Sequence, residues 1–198
     1  MISTTNYSDN SINRNCTTIG TVNPNLIAYL DLVVTVIFIR GKSIKGVEMA
    51  TKKIINSEIG KGWHYFEGSA VNQLIHSGAV VIETSELKFV YCSGRTATKG
   101  DTDEIVAPGD IAAQTEQVLI NLGSALTEAG ATYDDIVRMR VFVAPPFTTE
   151  NFAKIHEVRA KYFKKEHYPA STLVIVHQLA RKDAMLEIDC DAVVIKNK

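Results

Sequence analysis

The sequence predicts an α+β fold over residues 63–198, a mixed β-sheet with two helices packed on one face. Three observations predict it. Runs rich in β-branched and aromatic residues are interrupted by two segments of helical periodicity, in the order β-β-α-β-α-β-β. Hydrophobic residues make up 45% of the 198-residue chain and charged residues 22%, ordinary values for a protein that builds a core without metal or disulfide staples. Some strands are apolar on both sides, as at Val174-Ile175-Val176. The sheet face away from the helices therefore needs cover, and identical subunits are the simplest cover.

Each element follows from its residues. Ala79–Ile82 and Leu87–Ser93 read as a hairpin around the polar turn Glu83–Glu86. Residues 94–109 hold Gly94, Gly100, Pro108 and Gly109 and form a long loop, a common place for function. Asp110 caps a helix whose apolar face runs through Ile111, Val118, Leu119, Leu122 and Leu126, and Gly130 stops it. Ile136–Val143 is a strand with Val137, Met139, Val141 and Val143 on one side and Arg138 and Arg140 on the other. Pro145-Pro146 ends it. Thr148 or Thr149 opens a second helix, with Phe152, Ile155, Arg159 and Tyr162/Phe163 on its inner face. Ser171–Val176 is a strand, His177–Ala184 a polar turn, and Met185–Val194 a last strand where acids alternate with apolar residues.

The N-terminal part reads differently. Residues 1–25 are rich in Ser, Thr and Asn. The apolar run Leu26–Ile39 contains Asp31 and is shorter than the roughly 20 residues a spanning helix needs. It also begins late for a signal peptide. An N-terminal anchor and a buried β-rich segment stay open as readings of this run. Met49-Ala-Thr-Lys-Lys looks like a natural start, which leaves a comfortable length for one domain. Residues 1–48 are accordingly read as a leader outside the domain, an upstream translated extension, and 49–62 as a lead-in segment.

Charge and cysteine usage narrow the function. The 21 Lys+Arg and 22 Asp+Glu give a net charge of −1. That offers no pull toward nucleic acid or anionic membrane, and neither a basic stripe nor a stacking platform of aromatics supports a ribonuclease. Cys16, Cys92 and Cys190 lie far apart with no CxxC pattern, so the expectation is free thiols in a reducing cytosol, without zinc.

Several segments, in order, are similar to the Rid family (reactive intermediate deaminases, or YjgF). Val90-Tyr-Cys-Ser-Gly94 resembles its strand end, and Gln114–Leu122 its first-helix signature. Ala129-Gly-Ala-Thr-Tyr-Asp-Asp-Ile-Val137 resembles its turn into a strand. Val141–Val143, Phe152–Phe163, Pro169-Ala-Ser-Thr172 and Leu186-Glu-Ile-Asp189 continue the match, which covers about Ser69 to Ile195. The resemblance implies a chorismate-mutase-like fold and a homotrimer with a pocket at each subunit interface. It also implies cofactor-free hydrolysis of small enamines or imines to ketones and ammonia. A trimer that binds a small metabolite without turnover is the alternative.

Such hydrolysis needs a hold on the substrate, a steered water, and a proton for the leaving nitrogen. By resemblance Glu187 positions the water, and Ser93, Ser171 and Thr172 fall where the family contacts substrate. His76 and His156 stand near positions of a pocket tyrosine and asparagine, and Arg95 follows Ser93-Gly94 where glutamine is common. The two histidines and Glu187 could in principle take a metal, but their spacing carries no ligand signature. Ser171 is the main departure. The family's deaminating members carry an arginine there that holds the substrate carboxylate. A hydrogen bond to a charged group contributes about 1.5–3 kcal/mol, so its loss weakens binding about 10- to 150-fold. The expectation is a member of a subgroup lacking this arginine, with reduced or altered substrate range.

Overall fold

The computed structural model describes residues 50–55, 68, 70–71, 74–100 and 102–196. The readings made for residues 1–48, including the leader, the apolar run and Cys16, lie outside the described residues.

Six strands form one mixed sheet: β1 (Thr51–Ile55), β2 (Ala79–Glu83), β3 (Leu87–Arg95), β4 (Ile136–Val143), β5 (Ala170–Ile175) and β6 (Leu186–Ile195). Their order across the sheet is β1-β2-β3-β6-β4-β5. Only β4 and β5 pair in parallel. The sheet begins ahead of the boundary expected at residue 63, because Thr51–Ile55 pairs along β2 with Ile55 opposite Ala79. Its Thr-Lys-Lys start gave little apolar alternation by which to recognise a strand.

Helices α1 (Ile111–Glu128) and α2 (Thr149–Arg159) are both crossovers. α1 carries the chain from β3 over β6 to β4, and α2 from β4 to β5. Both connections run in the same direction across the sheet. The right-handed rule for such crossovers then sets both helices on one face. Burial agrees: Leu186, Ile188, Cys190 and Ala192 of β6 are buried beneath the helices, while Glu187, Asp189 and Asp191 between them are half-buried on the open face. Leu119, Leu122 and Leu126 of α1, Ile155 of α2 and Met139 and Val141 of β4 complete the core.

Both helix starts are capped as read. The Asp110 carboxylate accepts from Ala112 N and Ala113 N, and the Thr148 hydroxyl from Asn151 N. At the end of α1, Gly130 adopts φ +70°, while Ala131 N donates to Leu126 O and Gly130 N to Thr127 O. This double bond pattern closes the helix, and Lys88 Nζ satisfies the carbonyls of Ala129 and Gly130.

One reading changes. A register irregularity between Ile136 and Arg138 turns Ile136 inward and leaves Val137 exposed, so Val137 does not share the Met139 face. Cys92 and Cys190, remote in sequence, are cross-strand partners, both free and buried. Their mutual hydrogen bond and burial hold the Cys190 thiol well above the ordinary thiol range, so it stays protonated.

Candidate functional site

Glu187 sits near the start of β6, opposite Phe142 of β4 on the open face. Its carboxylate lies against Gly94, where a Cβ would overlap it. Burial raises the Glu187 pKa and the nearby Asp189 charge raises it further, while Arg181 and His76 pull it back. A carboxyl held above its usual range by burial is suited to exchanging a proton near neutral pH.

The end of β3 frames this carboxyl. Ser93 Oγ donates to Ser77 O at 2.7 Å, and Ser93 N donates to Gly78 O at 3.1 Å. The serine proton is thereby committed, and its lone pairs remain as acceptors. His76 is exposed, with Nδ1 3.2 Å from Ser77 O, close enough to Glu187 for its charge to register. So the structure brings His76, Ser93 and Glu187 together.

Gln114 braces the approach to Glu187 from the helix side. Its fully buried side chain donates to Asp183 O at 2.8 Å and Ala107 O at 3.3 Å and accepts from Met185 N at 2.8 Å. The loop before α1 and the turn before β6 are thus tied to one residue.

The other candidates lie elsewhere. Arg95 is the last residue of β3 rather than part of the long loop read over residues 94–109. It pairs with Ile188, which places it on the helix face, and its Nη2 donates to Gly78 O at 3.2 Å. Burial lowers its pKa. Ser171 pairs with buried Met139 and so also faces the helices, whereas Thr172 pairs with Arg140 and faces the open side. Both are exposed on the edge strand β5. His156 stands on α2 with its ring centroid 4.4 Å from that of Phe152. Burial and, after it, the neighbouring Arg159 charge lower its pKa, which disfavours the imidazolium form. His156 and Ser171 therefore form a second group, on the opposite face of the sheet from Glu187.

Two arginines were not singled out by sequence. Arg181 is half-buried, and its charge acts on Glu187. Its place in a polar turn suggested a solvated side chain, and nothing local in sequence said otherwise. Arg159 is buried, and its Nη2 donates to Ser171 Oγ at 3.1 Å. An arginine on the inner face of α2 was a visible signal, since a charge there needs a partner.

The open face also carries Arg140, whose Nε donates to Asp189 at 2.6 Å and whose two Nη atoms donate to Asp191 at 3.0 Å each. Among the described residues, no three His, Cys, Asp or Glu side chains come together as a metal-holding group, and no helix is long and apolar enough to cross a membrane.

A two-helix layer on a mixed sheet, with this carboxyl at the start of the last strand, is the architecture of a known class. Residues 74–194 match the family described as Endoribonuclease L-PSP. A RutC family protein of Synechocystis is 35% identical over 105 residues, 53% of this chain and 78% of the relative. A solved Rid family protein from Yersinia pestis superposes with a TM-score of 0.55 at 31% identity, covering 73% of this chain and all of that one. E. coli TdcF, solved with bound serine, gives 0.52 at 30% identity, covering 72% of this chain and 98% of that one. The chain belongs to this YjgF/RutC/Rid family and has its chorismate-mutase-like fold. Membership supports a role connected with small metabolites.

Proposed function

We propose that the protein is a cofactor-free hydrolytic deaminase acting on small enamines or imines, at pockets between the subunits of a homotrimer. The observation that carries this reading is the half-buried Glu187 carboxyl, raised in pKa by burial and seated against Gly94 beside His76 and Ser93.

An enamine first takes a proton at carbon, or an imine one at nitrogen, to become the iminium ion. The ionised Glu187 then accepts a proton from water as the water oxygen bonds to the iminium carbon. The C=N π pair moves onto nitrogen, which becomes a neutral amine. In the resulting carbinolamine the Glu187 carboxyl returns its proton to nitrogen. The C–N bond breaks, ammonia leaves, and loss of the hydroxyl proton gives the ketone. One water is consumed and no electron is exchanged, so no redox cofactor enters. Ser93, as an acceptor, suits the amino or iminium N–H of the substrate.

The trimer rests on family resemblance and on the apolar open face. Tyr91, Val174 and Ile195 are 46%, 42% and 52% exposed there. Free Cys92 and Cys190 fit a reducing compartment, and we place the protein in the cytoplasm.

The test is ammonia release from 2-aminoacrylate and 2-iminopropionate generated in situ. The expected result is a wild-type rate above background that falls about 100-fold or more in Glu187→Ala, since a positioned acid–base group contributes about 10²–10⁴-fold. A wild-type rate at background, unchanged in Glu187→Ala, excludes deamination of these substrates and leaves the non-catalytic binding protein.

A further inference from the structure

Arg159 is 8% exposed, yet among the described residues no carboxylate pairs with it. Its only hydrogen bond there is the one from Nη2 to Ser171 Oγ at 3.1 Å, and its Nε is buried without an acceptor. Burial lowers its pKa, with no opposing acid to restore it. Arg140, by contrast, is held by two aspartates. Arg95 shares a buried Nε without an acceptor, but its Nη2 reaches a backbone carbonyl and it lies in the field of Glu128. A buried guanidinium without a counter-charge is costly, and an arriving anion removes the cost.

Ser171 shows where such an anion would sit. The hydroxyl accepts from Arg159, which leaves its own proton free to donate. It is exposed on edge strand β5, so this donor faces a space a ligand can enter. Phe152, His156 and Arg159 fall on one face of α2, and the Phe147, Phe152 and His156 rings stand in series with centroid separations of 6.2 and 4.4 Å. The surroundings are thus one cation, one hydroxyl donor, an imidazole and two apolar rings.

We propose that Arg159 and Ser171 together hold the carboxylate of a small 2-imino or 2-oxo acid, the guanidinium lending its charge through and beside the serine hydroxyl. This rests on the deaminase reading for the identity of the ligand and adds the residue that supplies the charge. Ser171 alone supplies no charge, but Arg159 delivers one from the helix behind it. Because Ser171 faces the helices and Glu187 the open side, a substrate touching both lies between two subunits. The carboxylate hold and the proton-exchanging carboxyl then come from different chains.

The experiment is calorimetric titration with pyruvate, and with acetone as the ketone lacking a carboxylate, on full-length protein. Wild type is expected to bind pyruvate and not acetone. Arg159→Met and Ser171→Ala are expected to weaken pyruvate binding, by about 10- to 100-fold for the arginine and less for the serine. Glu187→Ala is expected to retain it, so loss of turnover and loss of carboxylate binding separate. Ser171→Arg, at an exposed position, serves if Arg159→Met fails to fold. It sets a second cation against Arg159 and is expected not to tighten binding. A tenfold gain in Ser171→Arg, or unchanged pyruvate binding in a folded Arg159→Met, overturns the assignment.

Discussion

The carboxylate of Glu187 occupies the space that a Cβ on Gly94 would fill. Gly94 has no left-handed backbone to explain it, so its smallness serves the close approach alone. In Gly94→Ala the end of the glutamate side chain must swing aside, which a flexible side chain does cheaply. Stability is expected to stay within about 1 kcal/mol of wild type. Ammonia release is expected to fall about 100-fold, the usual effect of misplacing a reacting group by about 1 Å. Paired melting curves and rates check this, and a full rate in a folded variant would show that the contact has no part in the chemistry.

Gln114 makes a contrasting prediction, because its work is structural. Gln114→Leu leaves Asp183 O and Met185 N without this partner in a half-buried setting, while Ala107 O keeps Asp110 N. Each buried unsatisfied group costs about 1–3 kcal/mol, so a loss of about 3 kcal/mol is expected after partial relaxation. The denaturant midpoint measures it. The turn before β6 loosens with it, so the rate falls too, whereas a Gly94→Ala defect appears in rate alone.

Much of this fold was written locally in the chain. Helix α1 could be read from Asp110, the Ile111-to-Leu126 stripe and Gly130, because cap, periodicity and stop agree. The acid–apolar alternation of β6 gave its two faces. β1 was missed because its buried contact is confined to Ile55, the last of its five residues. Within the candidate site, Glu187, Ser93 and His76 were named in advance and fall together. Arg159 was read as an inner-face residue and no more. Its meaning depends on Ser171, and that pairing arises only when α2 lies across β5. Arg181 acts on Glu187 across a turn whose path its sequence did not specify.

Arg140 tests the open face. Its guanidinium holds Asp189 and Asp191, and even so burial keeps the Asp189 pKa above its usual range. Arg140→Leu leaves two neighbouring carboxylates facing one another. With side chains 34%, 20% and 24% exposed, solvent screens part of this, and a loss of about 1–2 kcal/mol at pH 7 is expected. A raised carboxyl pKa means stability that is present at low pH and lost as pH rises through the folded value. Without Arg140 the Asp189 value moves further up, so the deficit should shrink toward pH 4. A deficit that is the same at both pH values would assign the effect of Arg140 to packing of its stem.

Glu187 sets stability against activity. Its folded pKa lies above the ordinary glutamate value, from burial first and Asp189 second, with Arg181 and His76 only partly offsetting them. The folded state therefore binds this proton more tightly than the unfolded chain does. The associated stability is fully present below the ordinary glutamate value and is lost as pH rises through the folded one. Glu187→Gln has nothing to ionise. Relative to wild type it should gain melting temperature progressively from acid to neutral pH, while ammonia release falls about 100-fold or more because the amide cannot exchange the proton. Melting temperatures of both proteins from pH 4 to pH 8 decide the point. Parallel curves would mean that Glu187 ionises as freely in the folded protein as in the unfolded chain, and burial would then give it no special fitness for proton transfer.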